Sequence, residues 1–366
     1  MSNILLIGFT NLFQMPYLKN FSNLIEQQNI TYDIVYWNRF GIDENNNLKT
    51  NNTFIFNHSL DDDSNGLLKI KGFLLFRNKL IKVINNANYS KIIVLTTLPS
   101  FLIYNLLIKN FNNRFIFDIR DYSYENFGVF KYFLNNIIKS SSFTTISSKG
   151  FKSFLPESDK YVLSTNLKIN NSLDNKFFLN KLLNFNSNKV TIIYIGAISY
   201  LEMNLKFLKL FGNNNNFNLI YVGHGPAKEK IKEYCHMNKY SNVSFHGRFM
   251  PSEKLKYYKK AEIIFNLYGN DSTLTKYAIS NKLYDSVNNY MPILVCKNTY
   301  MEKESINGNF GYVVDLENIN TPDNLYNWFL NLDKKKFINN CDTYLQKTVN
   351  ENIIFERNVI NFLRKP

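Results

Sequence analysis

A lysine and an aspartate three positions apart, Lys282 and Asp285, are the residues of this sequence best suited to bind an activated sugar. They lie in an amphipathic stretch at 276–289, predicted as a helix, which leads through Pro292 to a buried strand at 293–296. Residues three apart share a helical face, so both side chains point the same way. A cation there suits a diphosphate and a carboxylate suits ribose or sugar hydroxyls, which predicts a nucleotide-sugar site.

Short apolar runs alternate with helix-length amphipathic segments along the whole chain. In the first half, strands are predicted at 4–8, 32–36, 53–56, 92–96, 115–118 and 143–146, and helices at 12–28, 67–87, 100–109 and 127–139. In the second half, strands are predicted at 191–195, 219–222, 243–245, 263–267, 293–296 and 311–314, and helices at 201–211, 227–239, 252–259, 276–289 and 300–306. This alternation predicts parallel strands joined by right-handed helical crossovers.

The length of 366 residues exceeds the size at which one hydrophobic core usually stops growing. We therefore expect an α/β fold with two doubly wound, Rossmann-like domains that face a cleft. The predicted boundaries are 1–163 for the first domain, 164–189 for a polar, Asn-rich linker and 190–345 for the second domain. The remaining stretch, 346–366, is predicted as a C-terminal helix that can cross back to the first domain.

Composition narrows the class of partner. Hydrophobic residues make up 45% and aromatic residues 16% of the chain, which indicates a globular protein. The net charge of +14 predicts attraction to anions, namely nucleic acid, acidic lipid or a phosphorylated substrate, although AT-rich coding explains the abundant lysine equally well. The basic residues are dispersed and no nucleic-acid motif is present, so we expect no nucleic-acid partner.

Cysteine usage and hydropathy bear on location. Cys235, Cys296 and Cys341 are odd in number and far apart, so neither a disulfide framework nor a thiolate metal site is indicated. The apolar run at the N-terminus is too short for a signal sequence, and no stretch approaches the ~18 apolar residues of a membrane span. A cytoplasmic protein, soluble or peripheral at the inner face of the membrane, is expected.

One predicted helix, at 67–84, combines large apolar residues with a series of basic side chains. These basic residues are Lys69, Lys71, Arg77, Lys79 and Lys82. Such a profile is typical of a helix that lies on an anionic membrane. Packing against the protein's own sheet explains the apolar residues as well.

Glycine-containing loops follow predicted strands in both halves. Gly8 and Asn11 lie between the first strand and a helix, where either a plain turn or a substrate loop is expected. Gly223, His224 and Gly225 lie in the corresponding position of the second half, where the ligand crevice of a parallel sheet is found. The two glycines would let a ligand reach the main chain, and a plain turn is the alternative.

Charged residues also follow strands. Arg248 comes after the strand at 243–245, where a guanidinium could bind phosphate or simply face solvent. Three charged residues, Asp118, Arg120 and Asp121, lie at the carboxyl end of the strand at 115–118. Either aspartate could contact or deprotonate an acceptor hydroxyl, or the group could form a buried ion pair that fixes a loop.

A metal site is not expected. The acidic run 61–63 lies in a polar loop, where a solvated turn accounts for it. The histidines, His58, His224, His236 and His246, have no metal-ligand spacing, and only His224 is a candidate ligand contact.

The order of these motifs resembles the GT-B glycosyltransferases, in particular family 4-like enzymes of bacterial capsule and lipopolysaccharide assembly. The motifs that carry the resemblance are 8–11, 96–99, 117–121, 194–196, 221–226, 243–247, 281–285 and 291–295. The resemblance implies that the second domain binds the nucleotide-sugar, with Gly196, Asn281 and Lys282 on the donor side. Asp285 takes the place of the second acidic residue of the family's paired motif, whereas Tyr277 stands at the first.

These observations predict a metal-independent glycosyltransferase without a cofactor. It would move a sugar from a nucleotide donor to a glycan acceptor, expected to be lipid-linked, in bacterial surface polysaccharide synthesis. Two alternatives stay open: a nucleotide-sugar 2-epimerase of the same fold, and a non-catalytic sugar-binding or assembly partner.

Overall fold

The computed structural model describes residues 3–44, 48–60, 65–122 and 128–365. The chain divides into two compact units. Unit 1 comprises Met1–Thr165 together with Asn350–Pro366, and unit 2 comprises Asn166–Val349.

Unit 1 is built on a seven-stranded parallel sheet. Its strands are β1 (Ile4–Ile7), β2 (Tyr32–Asn38), β3 (Thr53–Asn57), β4 (Lys91–Leu95), β5 (Phe115–Ile119), β6 (Phe143–Ile146) and β7 (Tyr161–Leu163). They lie in the order β3-β2-β1-β4-β5-β6-β7, with Ile4 of β1 opposite Tyr32 of β2 and Lys91 of β4. Its helices are α1 (Leu18–Gln27), α2 (Gly66–Asn85), α3 (Thr97–Leu102), α4 (Tyr104–Asn110) and α5 (Gly128–Ser140), with 3-10 helices at Leu12–Gln14 and Lys149–Ser153.

Unit 2 repeats the arrangement with a six-stranded parallel sheet. Its strands are β8 (Val190–Ala197), β9 (Phe217–His224), β10 (Val243–His246), β11 (Ile263–Phe265), β12 (Ile293–Cys296) and β13 (Gly311–Val314), in the order β10-β9-β8-β11-β12-β13. Its helices are α6 (Ser172–Leu183), α7 (Leu201–Phe211), α8 (Lys228–Met237), α9 (Lys254–Tyr258), α10 (Thr273–Tyr277), α11 (Asn281–Asn288), α12 (Tyr300–Asn307) and α13 (Thr321–Leu330), with a 3-10 helix at Pro251–Glu253. The last helix, α14 (Lys334–Arg364), begins in unit 2 and ends in unit 1.

The central strands are buried on both faces because helices cover both sides of a parallel sheet. All four residues of β1, all five of β4 and all four of β12 are buried. This explains why they read in the sequence as continuous apolar runs and not as alternating ones. The α/β class with two doubly wound sheets is confirmed, and every predicted strand lies within two residues of an observed one.

The predicted linker at 164–189 is wrong in its central part, which forms helix α6. Asn171 caps this helix by accepting a hydrogen bond from the Asp174 amide at 2.9 Å. Phe178 and Leu182 are buried in the core of unit 2. The abundance of asparagine hid the helix, because the apolar residues that anchor it are few.

Three predicted helices are interrupted. The stretch 12–28 splits into a 3-10 turn and α1, and 100–109 overlaps α3 and α4. Within the stretch 276–289, helix α10 ends at Tyr277 and a new helix, α11, begins at Asn281. The Ser280 side chain caps α11 by accepting a hydrogen bond from the Lys282 amide. Strand β7 was not predicted, since it has three residues and none is fully buried.

Candidate functional site

The order of strands in unit 2 determines where a ligand can bind. From β8 the chain runs outward through β9 to β10, then returns to place β11 on the other side of β8. Connections after β8 and β11 therefore leave in opposite directions, which opens a crevice at their carboxyl ends. This edge carries Gly196, the penultimate residue of β8, and Tyr268, which follows β11.

Two glycines let the β8 and β9 loops pack against each other. Gly223 has φ +134°, and a Cβ there would lie 1.9 Å from the Gly196 carbonyl oxygen. A Cβ at Gly225 would lie 2.3 Å from the Ile198 carbonyl oxygen. The predicted reason for these glycines was approach of a ligand, but the structure shows approach of the neighbouring backbone. His224 between them is exposed.

Lys282 is the central cation of this edge. The residue is 6% exposed, and its Nζ donates a hydrogen bond to Tyr268 Oη. The same Nζ lies 4.9 Å from the ring centroid of Tyr194 and 4.8 Å from that of Tyr268. A Cβ at Gly196 would lie 3.9 Å from this Nζ, so the missing side chain leaves room beside the ammonium group.

Burial sets the electrostatics of this cluster. Desolvation lowers the pKa of Lys282, against the opposing effects of Tyr194 and Asp285. Burial likewise raises the pKa of Tyr194 to about 12 and that of Tyr268 to about 12. No carboxylate forms an ion pair with Lys282 among the described residues. An anion placed beside this ammonium would therefore gain a strong partner and would restore its proton affinity.

The aromatic wall extends to the loop after β8. Tyr200 stacks on Tyr268 with ring centroids 4.6 Å apart and an interplanar angle of 22°. Tyr200 adopts a left-handed conformation with φ 59° and is 38% exposed. Close by in sequence, Asn266 is 3% exposed and its Oδ1 has no hydrogen-bond partner among the described residues. A buried acceptor without a donor is uncommon in folded proteins.

Asp285 is engaged on one side. Its Oδ2 accepts hydrogen bonds from Lys254 Nζ and, at 2.8 Å, from Tyr258 Oη. Because Oδ2 accepts both hydrogen bonds, Oδ1 is the atom that can accept a hydrogen bond from a sugar or ribose hydroxyl. Lys254 also places a second positive charge near the predicted donor site.

Two further predicted donor residues lie on the surface of unit 2. Asn281 is exposed, and its Oδ1 accepts from Asn166 Nδ2 at 3.1 Å. Arg248 is exposed, and it forms no ion pair within the part of the chain that the structure describes. The two alternatives for Arg248, a phosphate contact and a surface cation, therefore stay open.

The equivalent point of unit 1 is closed by the protein's own side chains. Asn11 is fully buried, and its Oδ1 accepts from the amides of Arg39 and Phe40 at 2.8 and 3.2 Å. Its Nδ2 donates to Asn38 Oδ1 at 2.7 Å and to Glu44 Oε2 at 3.1 Å. All four hydrogen-bonding positions of this amide are used, so Asn11 is not a ligand residue.

Glu44 also occupies the amides that were expected to attract an anion. Its carboxylate accepts from the Leu12 amide at 3.0 Å and from the Phe13 amide at 2.9 Å. Gly8, in turn, is explained by packing, because a Cβ there would lie 2.5 Å from Cε of Met15. Of the two alternatives for the loop at 8–11, a plain turn and a substrate loop, these internal contacts favour the plain turn.

The aspartates after β5 have separate roles. Asp118 is 0% exposed; its Oδ2 pairs with Arg120 Nε at 2.7 Å and its Oδ1 accepts from Thr145 at 2.5 Å. Both oxygens are occupied, so Asp118 does not fit the predicted role of general base. Asp121 has an exposed side chain at the mouth of this cluster, and desolvation by the surrounding protein, with a smaller contribution from Asp118, raises its pKa although Arg120 opposes the shift. A carboxylate of this kind can accept a proton.

Arg120 joins Asp118 to the rest of unit 1. It donates to the Ser164 carbonyl and hydroxyl, both at 2.9 Å, and its guanidinium lies 4.8 Å from the ring centroid of Tyr17. Ser164 follows β7, so Arg120 ties the end of β5 to the last strand. The ion-pair alternative is therefore the better interpretation of Asp118 and Arg120.

Thr96, which follows β4, was not singled out as a site residue. It has φ 73°, and its buried hydroxyl has no hydrogen-bond partner among the described residues. A positive φ is a genuine outlier for a β-branched residue and stores strain. Tyr268, Lys254, Tyr258 and Tyr200 were missed as well, since they come together only through the fold. Tyr194 appeared only within the resemblance motif.

Metal ligands do not cluster in the part of the chain that the structure describes, where no group of three His, Cys, Asp or Glu side chains is found. The acidic run 61–63 lies outside the described residues. Among the described helices, none is both long and apolar enough to cross a bilayer.

No protein-family model and no curated protein sequence matches the chain, but solved structures do. A glycosyltransferase from Rickettsia africae aligns over 100% of both chains with 13% identity and a TM-score of 0.67. The E. coli trehalose-6-phosphate protein bound with UDP-2-fluoro glucose aligns over 97% of this chain and 99% of its own, with 9% identity and a TM-score of 0.66. WaaG, a glycosyltransferase involved in lipopolysaccharide biosynthesis, aligns over 94% and 95%, with 10% identity and a TM-score of 0.59.

The chain has the GT-B glycosyltransferase fold. The near-complete coverage of both chains places both sheets of the protein within that fold. The TM-scores establish the fold. At identities of 9–13%, the likeness shows the fold alone, so substrate, acceptor and reaction have to be argued from the residues.

Proposed function

We propose that the protein is a metal-independent glycosyltransferase that binds a nucleotide-sugar in unit 2 and transfers the sugar to a glycan. The observation that carries the proposal is Lys282, a nearly buried cation at the crevice of the sheet with open space beside its ammonium group. A buried lysine without a carboxylate partner costs stability, which indicates that it is retained for a ligand.

The donor's diphosphate is assigned to Lys282 and the beginning of α11. Transfer breaks the bond between the anomeric carbon and the β-phosphate oxygen, so negative charge grows on the leaving diphosphate. A fixed ammonium group and helix N-terminal amides stabilise that charge without a metal. Arg248 and His224, which are exposed on loops of the same sheet, are proposed to contact the nucleotide.

The sugar or ribose hydroxyls are assigned to Asp285 through its Oδ1 atom. Lys254 and Tyr258 hold the other oxygen and fix the carboxylate in one orientation. Lys254 also supplies positive charge at this site. The glycosyltransferases that the sequence resembles usually carry an Arg and a Lys after the strand that contains Gly196, whereas the stretch 197–202 of this chain has neither.

The acceptor is assigned to unit 1, with Asp121 as general base. The acceptor oxygen forms the new bond to the anomeric carbon, and its proton passes to the Asp121 carboxylate. A lipid-linked glycan of a bacterial surface polysaccharide is the proposed acceptor class. It is supported by the structural likeness to WaaG, which is involved in lipopolysaccharide biosynthesis. Such a reaction would take place at the cytoplasmic face of the membrane.

A non-catalytic sugar-binding role is the second candidate. It is favoured by Tyr277 at the first acidic position and by the engagement of Asp285 with Lys254. A 2-epimerase of the same fold would release an altered nucleotide-sugar and need no acceptor.

A panel of nucleoside diphosphates and nucleotide-sugars tests these functions in two steps. Ligands that bind the folded protein raise its melting temperature, which identifies the donor. Incubation of that donor with and without glycan acceptors then separates transfer, epimerisation and binding alone. Stabilisation by a nucleotide-sugar without any turnover would favour the non-catalytic role, and no stabilisation by any of them would contradict the donor site.

A further inference from the structure

Unit 1 contains an apolar cavity that the proposed chemistry does not use. Its volume is about 610 Å³, and helices α2, α3, α4 and α5 surround it. The lining is mainly apolar and includes Ile81, Phe101, Leu102, Leu106, Phe130 and Phe133. The size and the apolar lining are those of a ligand pocket.

Aromatic contacts give the cavity fixed walls. Phe101 of α3 packs edge-on against Phe130 of α5 with ring centroids 4.9 Å apart. Tyr104 of α4 packs in the same way against Phe133 of α5 at 4.7 Å. Two basic side chains, Arg77 and Lys109, also line the cavity, together with the amides of Asn105 and Asn110. Arg77 Nε donates to the Leu102 carbonyl at 3.0 Å, which fixes its guanidinium at the cavity.

Two of the helices that line the cavity, α2 and α5, also expose large apolar side chains. The exposed residues are Leu67, Leu68, Ile70, Leu74 and Leu75 on α2, and Val129 and Tyr132 on α5. Val129 is 70% exposed and also lines the cavity. Exposed apolar residues concentrated on one face mark a surface that docks on a protein or a membrane.

Charge decides between these occupants. The sequences of α2, α3, α4 and α5 contain no Asp or Glu. They do contain Lys69, Lys71, Arg77, Lys79, Lys82, Lys109, Lys131 and Lys139. A single-sign basic field around exposed leucines matches the surface of an anionic leaflet, where apolar side chains enter the acyl region and lysines meet phosphates.

We infer that this face of unit 1, termed here the α2–α5 face, docks on an anionic phospholipid leaflet and that the cavity takes one acyl chain. The phosphate of that lipid lies at Arg77 and Lys109, and the exposed leucines of α2 enter the leaflet beside it. The inference stands on the cavity and the charge, and it does not need the protein to transfer a sugar.

Flotation of the full chain tests docking with two kinds of vesicle: phosphatidylcholine alone, and phosphatidylcholine mixed with phosphatidylglycerol. We expect binding to the anionic vesicles that weakens as the salt concentration is raised, because salt screens the attraction between the lysines and the lipid phosphates. Lys71→Gln with Lys82→Gln removes two exposed cations and should weaken binding about 30-fold. The matched control is Lys230→Gln with Lys232→Gln on α8, where Glu229 and Glu233 intersperse the charge.

A second pair of variants tests the apolar contribution. Val129→Asp should abolish vesicle binding, whereas Ile319→Asp, at a residue 80% exposed in unit 2, should leave it intact. Both side chains are exposed, so neither change disturbs a core. Equal effects of variant and control, or no binding to anionic vesicles at all, would overturn the inference. The inference would also be overturned if the protein did not bind vesicles but formed a dimer in solution that Val129→Asp dissociates.

The acyl-chain site itself is tested by cross-linking with a phosphatidylglycerol that carries a photoreactive group in its chain. Peptides that contain residues 101–106 or 129–133 should be labelled in vesicles. Labelling confined to the exposed leucines of α2 would show docking without occupation of the cavity and would overturn the acyl-chain assignment.

Discussion

The two sheets have the same strand order around their central crevice, yet the contents of that crevice differ. In unit 1 the amides after β1 are capped by Glu44, and Asn11 uses all of its hydrogen-bonding positions within the protein. In unit 2 the corresponding edge holds Lys282, a cation with tyrosines around it and space left by Gly196. One fold therefore supplies both an edge whose amides are capped by the protein itself and an edge with a nearly buried ammonium group, where we propose that an anion binds.

The comparison shows that topology alone does not make a binding site. Both crevices lie where a parallel sheet reverses its strand order. Unit 1 neutralises its helix-terminal amides with its own carboxylate, whereas unit 2 leaves an ammonium group without a carboxylate partner among the described residues. The anionic part of a substrate is thus expected in unit 2, and unit 1 is left to bind a neutral or differently placed group.

The largest expected effect concerns Asp118 of unit 1, whose buried ion pair with Arg120 holds the end of β5. Asp118→Asn leaves a buried guanidinium without its partner charge, so the free energy of unfolding should fall by about 3–5 kcal/mol.

Asp121→Asn, at an exposed residue, should change the free energy of unfolding by less than about 0.5 kcal/mol and reduce transfer at least about 100-fold. Denaturant unfolding and transfer assays of both variants measure this. A stable Asp118→Asn protein that has lost transfer would reverse the two roles.

The next effect concerns Lys282 in unit 2. Lys282→Met keeps the size of the side chain but removes the charge, so transfer should fall by about 100- to 1,000-fold. The folded protein should not lose stability, because an isolated buried charge is replaced by an apolar group. Lys303→Met is the matched control, since Lys303 is exposed and lies 5.7 Å from the ring of Tyr300. Unfolding of Lys282→Met at lower denaturant would instead indicate a structural lysine.

The pH dependence of stability sharpens the same point. The pKa of Lys282 is lower in the folded protein than its ordinary value of 10.5. At pH values between the folded pKa and the unfolded pKa of Lys282, the unfolded chain binds more protons than the folded protein, so the free energy of unfolding should rise with pH. Below the folded pKa, Lys282 is charged in both states, and burial of the charge lowers stability by its full amount. Lys282→Met should lack this rise, which thermal unfolding across alkaline pH can measure, and an identical profile in both proteins would contradict the assigned burial.

A smaller effect is expected where the β8 and β9 loops pack. Gly223→Ala introduces a Cβ that would lie 1.9 Å from the Gly196 carbonyl at φ +134°, so stability should fall by about 2–3 kcal/mol. Gly247→Ala is the control, since no atom lies within 4 Å of a Cβ there. Denaturant unfolding compares the two. A neutral Gly223→Ala would show that the loops separate readily.

The smallest effect is expected for the cap of the closed edge. Glu44→Ala removes the acceptor for the Leu12 and Phe13 amides and should reduce the free energy of unfolding by about 1 kcal/mol. Excess sulfate should recover part of this loss in the variant and have a smaller effect on the unchanged protein, because the amides again find an anion. Equal sulfate responses would show that Glu44 does not occupy the amides in solution.

The sequence predicted the fold well because its signals are local. Continuous apolar runs mark strands that are buried on both faces, and every predicted strand is present. Helix α6 was missed because two buried residues, Phe178 and Leu182, anchor it within an Asn-rich stretch. Strand β7 has no buried residue and therefore gave no signal.

The candidate site was predictable only in part. Lys282 and Asp285 are readable from helical spacing, but Lys254 reaches Asp285 from 31 positions away. Their contact depends on the fold, as does the position of Tyr268 beside Lys282. Asn11 and Asp118 were polar residues after strands, which is the same local signal that true ligand residues give. Only the structure shows that their hydrogen bonds are satisfied internally.

Titration of nucleoside diphosphates into the full chain and into Lys282→Met tests the central claim most directly, with Lys303→Met as control. The account predicts that at least one of UDP, GDP, CDP and ADP binds the unchanged protein and the control alike. It predicts that Lys282→Met weakens that binding by about 10- to 100-fold, the loss of one charge-assisted contact. Equal dissociation constants for all three proteins would contradict the claim that the Lys282 crevice of unit 2 holds the donor diphosphate.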